Sequence, residues 1–236
     1  MHRPRKRAAC QRFHGAGKDE RSRRYNQKAP SVKRILITAG PTREYFDTVR
    51  FISNASSGSQ ASALAFEFLK RNCRVRIISG PVNLRYPRGC EVINVVGVRE
   101  MFARARENMA WSDFTVFAAA PCDLTPAARS DKKIKKKTSS PPLLAHSVDI
   151  ALSMNMLKNA PPSAGFDLED DLNMDEALDK MRRKRFNIIV QNTVPAMASP
   201  RTTGYMISKD GALFFNDISK KDMAGLLCEK ICRIIN

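Results

Sequence analysis

A chain of 236 residues has room for one α/β domain and not for two full-sized ones, and 43% hydrophobic residues suit a globular core. No run approaches the roughly 18 apolar residues that a membrane span needs. No apolar segment follows the charged amino terminus, so a secretory leader is not expected and the cytoplasm is the expected compartment.

The formal charge of +18 is unevenly spread. Residues 1–34 carry 12 Lys/Arg against 2 Asp/Glu, a net of +10, and the rest of the chain carries +8. Residues 1–32 show almost no apolar periodicity and read as a basic, disordered tail, with the folded domain spanning 33–236. Such a tail is either an inert extension or a nonspecific contact for anionic surfaces. With 7% aromatic residues and no RNA-binding signature, a nucleic-acid-binding role is not expected. Six cysteines (Cys10, Cys73, Cys90, Cys122, Cys228, Cys232) form no CxxC or Cys/His cluster, which points to reduced thiols, buried or semi-buried.

Arg34–Gly40 (RILITAG) is a short β-branched run ending in glycine and reads as a buried strand. The stretch GPTREYFDTVRFISNASSG after it reads as irregular. Ser59–Asn72 places Ala61, Leu64, Ala65, Phe68 and Leu69 on one helical face. Arg74–Gly80 and Glu91–Val96 read as strands, and Val98–Ala110 as an amphipathic helix. Phe114–Ala120 (FTVFAAA) has no polar side chain except Thr115, the pattern of a strand covered on both faces. A polar, basic connection follows, DLTPAARSDKKIKKKTSSPPLL. Beyond it, Val148–Asn159 and Met174–Arg185 read as helices, and Ser163–Leu168 and Asn187–Gln191 as strands. Tyr205–Ile207 and Leu213–Phe215 flank a Lys-Asp-Gly turn signal, and Ser219–Ile235 closes the chain as a helix. The alternation predicts an α/β fold: a Rossmann-like parallel sheet with helices on both faces and a small C-terminal β-hairpin extension.

In such sheets ligands sit beyond the carboxyl ends of the strands. There the sequence places TAGPT, then Ser56-Ser57-Gly58 before a helix start, where free N–H groups suit a phosphate or merely form an N-cap. Asp123 follows the fourth strand, and Lys132, Lys133, Lys135, Lys136 and Lys137 follow it, either as a solvated face or as a lid over a polyphosphate. Lys180, Arg182, Arg183, Lys184 and Arg185 end a helix, whose negative C-terminus they complement. Neither GxGxxG nor GxxxxGK[ST] is present, and no Tyr-x-x-x-Lys pair supports a short-chain reductase. His146, the one histidine of the folded region, reads as a surface residue.

Together these blocks resemble the phosphopantothenate–cysteine ligase family: ILITAGPTREYFDTVRFISNASSG, AAAPCDLTPA followed by KIKKK, VDIA, Gly165-Phe166, and KMRRK before NIIVQN. The resemblance runs from about Lys33 to the end. It implies a ligase that joins 4'-phosphopantothenate to cysteine through an acyl-cytidylate, cleaving CTP to CMP and pyrophosphate with Mg²⁺, in coenzyme A biosynthesis. By the same resemblance Asn54, Arg50 and Lys133 serve catalysis, and Arg50, Asn54, Ser56, Ser57, Gly58 and Ala120 hold the acyl substrate. The nucleotide falls to Gly40, Ala119, Asp123, Lys133, Val148, Asp149, Ile150, Ala151, Phe166, Lys180 and Lys184; no metal ligand is implied. A homodimer through Tyr205–Phe215 is expected, as are no FMN and a separate decarboxylase in the pathway.

The pattern also departs from the family's. Ser59-Gln60-Ala61 stands where a methionine–glycine pair is usual. GFDLED puts Asp167, Glu169 and Asp170 near the nucleotide, and MASPRTTGYM replaces a family motif. The alternative reading is a nucleotide-binding paralogue without turnover.

Overall fold

In the computed structural model, residues 31–135, 141–197 and 199–236 are described; the tail to residue 30, Lys136 and Lys137 lie outside them. Strand β1 (Arg34–Ala39) has five of six residues buried and lies inside the sheet. Its alternation divides the core. Ile35 and Ile37 face helices α1 (Ser59–Lys70) and α5 (Lys220–Ile235), packing with Leu64, Phe68, Leu227 and Ile231. Leu36 faces the opposite layer, where Met101, Ala105, Ile150, Met154 and Ala177 come from α2 (Val98–Met109), α3 (Ile150–Asn155) and α4 (Met174–Lys184). Full burial of Phe68 contributes about 3 kcal/mol, and truncation to alanine would cost about 3–5 kcal/mol.

Two further ribbons precede and follow the central strands: β2 (Arg43–Tyr45) pairs antiparallel with β3 (Phe51–Ser53), and β7 (Leu124–Pro126) with β8 (Leu144–His146). The main sheet adds β4 (Arg74–Ser79), β5 (Cys90–Asn94), β6 (Phe114–Phe117), β9 (Ser163–Glu169), β10 (Ile188–Thr193), β11 (Arg201–Ser208) and β12 (Gly211–Ser219). Its order is β12-β11-β10-β9-β6-β1-β4-β5, parallel from β5 to β10 and antiparallel at β11 and β12. The chain runs outward from β1 to β5 and then returns to β6 on the other side. The switch point therefore falls between β1 and β6, where a crevice is expected.

Three expectations are revised. The hairpin is not a small extension: its strands are eight and nine residues long and continue the main sheet. Gly204 permits this, since a Cβ there would stand 1.9 Å from the carbonyl oxygen of Gln191 on β10. Helix α3 is shorter than Val148–Asn159, because Asp149 caps it by accepting from the N–H of Leu152 and Pro161-Pro162 follows its end. The stretch after β1, read as irregular, and the one after β6, read as a polar, basic connection, each build one of the ribbons.

The thiols agree with the reading from composition. Cys73, Cys90, Cys122, Cys228 and Cys232 are free, and burial pushes Cys73 and Cys90 up to about 11. At neutral pH these groups are protonated and poor nucleophiles. His146 is exposed on β8. Among the described residues no helix is long and apolar enough to cross a membrane.

Candidate active site

The floor of the site is the seam between β1 and β6. Pairing continues past both strand ends: the N–H of Ala118 donates to Thr38 O at 3.1 Å and that of Ala120 to Gly40 O at 2.9 Å. Gly40 is buried, with φ +70°, a left-handed turn that favours glycine. The loops leaving the two strands are also tied together. Cys122 N–H donates to Thr42 Oγ1 at 3.0 Å, and Ser53 Oγ donates to Thr42 O at 2.8 Å. Onto this seam the Asn54 side chain lays its amide, donating from Nδ2 to Ala120 O at 3.2 Å and Pro121 O at 3.0 Å.

A cleft of about 420 Å³ opens above it, walled by residues 54–60, the end of β6, Phe166, Asp167, Lys180, Asn192 and Lys220. One wall is the start of α1. Gly58 caps that helix at φ +75°, where a Cβ would meet Val82 Cγ1 at 3.0 Å and Tyr86 Oη at 3.2 Å. The first turn of the helix holds no acidic residue, so the positive dipole end meets no negative charge there, and the Ser59 N–H donates only to Ser57 Oγ at 3.4 Å. Ser56, Ser57 and Gly58 line this wall.

A second hollow of about 90 Å³ adjoins the first, sharing Ala119, Pro121, Asp123 and Phe166 with it. Val148, Asp149, Ile150, Ala151 and Lys184 complete its lining. Gly165 explains the position of Phe166. A Cβ on that glycine would lie 2.2 Å from the Phe186 ring, so only a bare backbone lets the two aromatic residues flank it. The two lysines of α4, Lys180 in the first cleft and Lys184 in the second hollow, are engaged. Lys180 pairs with buried Asp167 and lies 3.7 Å from Glu169, while Lys184 lies 3.1 Å from Asp149. Burial, followed by the bond to Asp167, raises the Glu169 carboxyl above its ordinary pKa. The acids of GFDLED are thus balanced in part by Lys180. Asp123 is the carboxylate shared by both hollows, and it has no ion pair among the described residues.

Gly40, Arg50 and Lys133 do not line either hollow. Arg50 belongs to a clasp centred on Asp47, a fully buried carboxylate. Asp47 accepts from the N–H groups of Val49 and Arg50 (2.8 Å each), from Arg50 Nε at 3.0 Å and from Ile134 N–H at 3.1 Å. Arg50 donates in turn to Ile134 O at 2.7 Å. The Arg50 side chain, then its backbone N–H, hold the Asp47 carboxyl far below the usual range. The clasp fixes the residue after exposed Lys133 against the arm that carries Asn54. Further ties join Ser130 N–H to Phe46 O (2.8 Å) and Thr125 Oγ1 to Glu44 Oε2 (3.1 Å). The arm and the lysine segment therefore form one unit, with Lys133 outside the cleft in this conformation.

Residues 31–235 match the DNA/pantothenate metabolism flavoprotein C-terminal domain. The chain belongs to this family. It is similar to the coenzyme A biosynthesis bifunctional protein CoaBC of Haemophilus influenzae, 38% identical over 162 residues, which are 68% of this chain and 40% of that protein. A cysteine/cysteine sulfinic acid decarboxylase of an unknown prokaryotic organism is 37% identical over 177 residues, 73% of this chain and 49% of its own length. The chain thus spans less than half the length of these curated relatives. A crystal structure of the C-terminal domain of CoaBC superposes with a TM-score of 0.75 at 29% identity, covering 86% of this chain and 95% of that one.

Family membership accounts for the long matching block around Asn54. It had not singled out two groups that the fold brings into the cleft, Asn192 on β10 and Lys220 at the start of α5. The only sequence signals for them were a polar pair inside an apolar strand (NIIVQN) and a lysine at a helix N-terminus, where the dipole disfavours it.

Proposed function

We propose that the chain joins 4'-phosphopantothenate to cysteine through an acyl-cytidylate, a step of coenzyme A biosynthesis. A carboxylate is a poor acyl donor until one of its oxygens becomes part of a good leaving group. In the first step the substrate carboxylate attacks the α-phosphate of CTP and pyrophosphate leaves. In the second, the cysteine amine attacks the acyl carbon and CMP leaves. The protein's part is positioning and charge stabilisation, which suits a cleft whose nearby thiols are protonated.

The observation that carries this reading is the adjacency of two hollows across the β1–β6 seam, with Asn54 fixed beside their shared wall. Acyl substrate would occupy the Asn54 side, against Ser56, Ser57, Gly58 and Ala120, and nucleotide the side of Val148–Ala151, Phe166 and Lys184. Asn54 would exchange one backbone carbonyl for the acyl oxygen, a neutral donor that orients the carbon for the amine. Lys133 would enter by movement of its segment about the Asp47–Arg50 clasp, which gives Arg50 a part in closing the site.

No cluster of three acidic, histidine or cysteine groups among the described residues could hold a metal alone. Magnesium carried on a triphosphate needs only one or two carboxylates, and unpaired Asp123 fits that requirement. The ion would supply charge neutralisation on the phosphates. We further place the enzyme in the cytoplasm, as a homodimer. Support for the dimer comes from the open edge of β12, where Leu213 and Phe214 are exposed.

The test mixes purified protein with 4'-phosphopantothenate, cysteine, Mg²⁺ and CTP or ATP, and follows pyrophosphate and the amide product. Release that requires the acyl substrate is expected, with CTP favoured. No release with either nucleotide would leave the non-catalytic paralogue as the better account.

A further inference from the structure

Asp167 and Lys180 form an ion pair on the wall of the larger cleft, beside Phe166. The Asp167 side chain is 1% exposed and is held from a second direction. Gln191, its neighbour across the β9–β10 ladder, donates from Nε2 to Asp167 Oδ2 and to Asn173 O, both at 3.0 Å. Gln191 Oε1 accepts in turn from the N–H of Asn173, the residue that caps α4. Both oxygens of the carboxylate are therefore engaged, and the helix carrying Lys180 is tied to the strand carrying its partner. Glu169 brings a second carboxylate 3.7 Å from the same ammonium. One lysine against two acids leaves no net positive charge at this point of the wall.

The placement matters because of what must pass there. Lys184, one turn further along α4, lines the smaller hollow, whereas Lys180 lines the larger cleft. A nucleotide seated in the smaller hollow has to extend its phosphates into the cleft to meet an acyl group beside Asn54. For Lys180 to bind them it would have to leave Asp167 as an unpaired buried anion, which is strongly unfavourable.

We propose that Asp167 is a positioning residue that withholds Lys180 from the nucleotide's phosphates, and so sets the affinity of this chain for its nucleotide. The inference rests on the ligase reading above. Asp167 touches no substrate and acts through Lys180 alone. The pair favours the fold and opposes triphosphate binding, so breaking it should move stability and affinity in opposite directions. An aspartate with a purely structural role would lower both.

The experiment measures dissociation constants of the full chain for CTP with Mg²⁺, beside urea unfolding, in the wild type, Asp167→Asn, Glu169→Gln and each of these combined with Lys180→Met. Asp167→Asn frees the lysine, and CTP should bind roughly 10-fold more tightly, the size of one charge-assisted contact, although the fold is weakened. Adding Lys180→Met should abolish that gain, a coupling that only contact between the two side chains produces. Glu169 is partly exposed, so Glu169→Gln keeps the test open if Asp167→Asn folds poorly; it should tighten CTP by about two- to threefold, again only while Lys180 is present. Weaker or unchanged CTP binding in these variants would overturn the assignment and leave the ligase reading intact. Equal tightening with and without Lys180 would also overturn it, by giving the effect to the charge of the acids themselves. A wild type that binds no CTP would remove the nucleotide from the ligase reading, and this inference with it.

Discussion

Three lysines line the joined hollows, and the two ends treat them differently. On the α4 side, Lys180 of the larger cleft and Lys184 of the smaller hollow are held by Asp167, Glu169 and Asp149. At the other end Lys220 meets only a hydroxyl and a backbone carbonyl. A count of basic residues would rank the α4 side as the more electropositive. The contacts reverse that order, because a lysine beside a carboxylate has little charge left to offer a ligand. What a site can bind depends on its unbalanced charge.

Asn54 stands between the two ends, and changing it should have the largest effect. Asn54→Asp replaces a donor with an anion facing the carbonyls of Ala120 and Pro121. Amide formation should fall by about 10²–10³-fold, as when one oxyanion donor is lost, and pyrophosphate release should fall less. Separate assays of the two steps check this, and equal loss in both would count against the role given to Asn54.

The paired end is sharpened by removing its carboxylates. Asp167 is buried and also accepts from Gln191 Nε2 at 3.0 Å. Asp167→Asn leaves Lys180 without its main partner and should destabilise the fold by about 3 kcal/mol, measured by urea unfolding. The double variant with Lys180→Met should recover much of that loss. Asp149→Asn should cost under about 1 kcal/mol by the same measurement, since the Lys184 pair is partly open to solvent. Between these in size lies the clasp. Asp47 has a depressed pKa when folded, so its contribution is present above the ordinary carboxylate value of about 4 and is lost as pH falls through the folded value. Asp47→Asn removes that term. Wild type and variant should differ clearly in urea midpoint at pH 7, and the gap should narrow steadily as pH falls below about 4.

The parallel strands and the helices that cover them were legible because burial on both faces writes itself into apolar runs and 3.6-residue spacing. Phe114–Phe117 and the Leu64–Phe68 face are examples. The ribbons were not legible. Each strand has three residues, too few to show alternation, and what holds them is the distant contact of Asp47 with Ile134. The loop residues of the site were readable only through resemblance, which singled out Ser56–Gly58, Asp123, Val148–Ala151 and Phe166, each of which lines one of the two hollows. It could not foresee that Arg50 would be engaged by Asp47, nor that Lys180 would balance the acids of GFDLED. Lys220 and Asn192 escaped notice because their meaning depends on what does not pair with them, which only the packed structure reveals.

Exchange of labelled pyrophosphate into CTP, in the absence of cysteine, tests the acyl-nucleotide most directly. Exchange that appears only when 4'-phosphopantothenate is present is the expected result, for only a reversible first step can produce it. Pyrophosphate that never returns to nucleotide, with CTP or with ATP, would contradict the proposed chemistry.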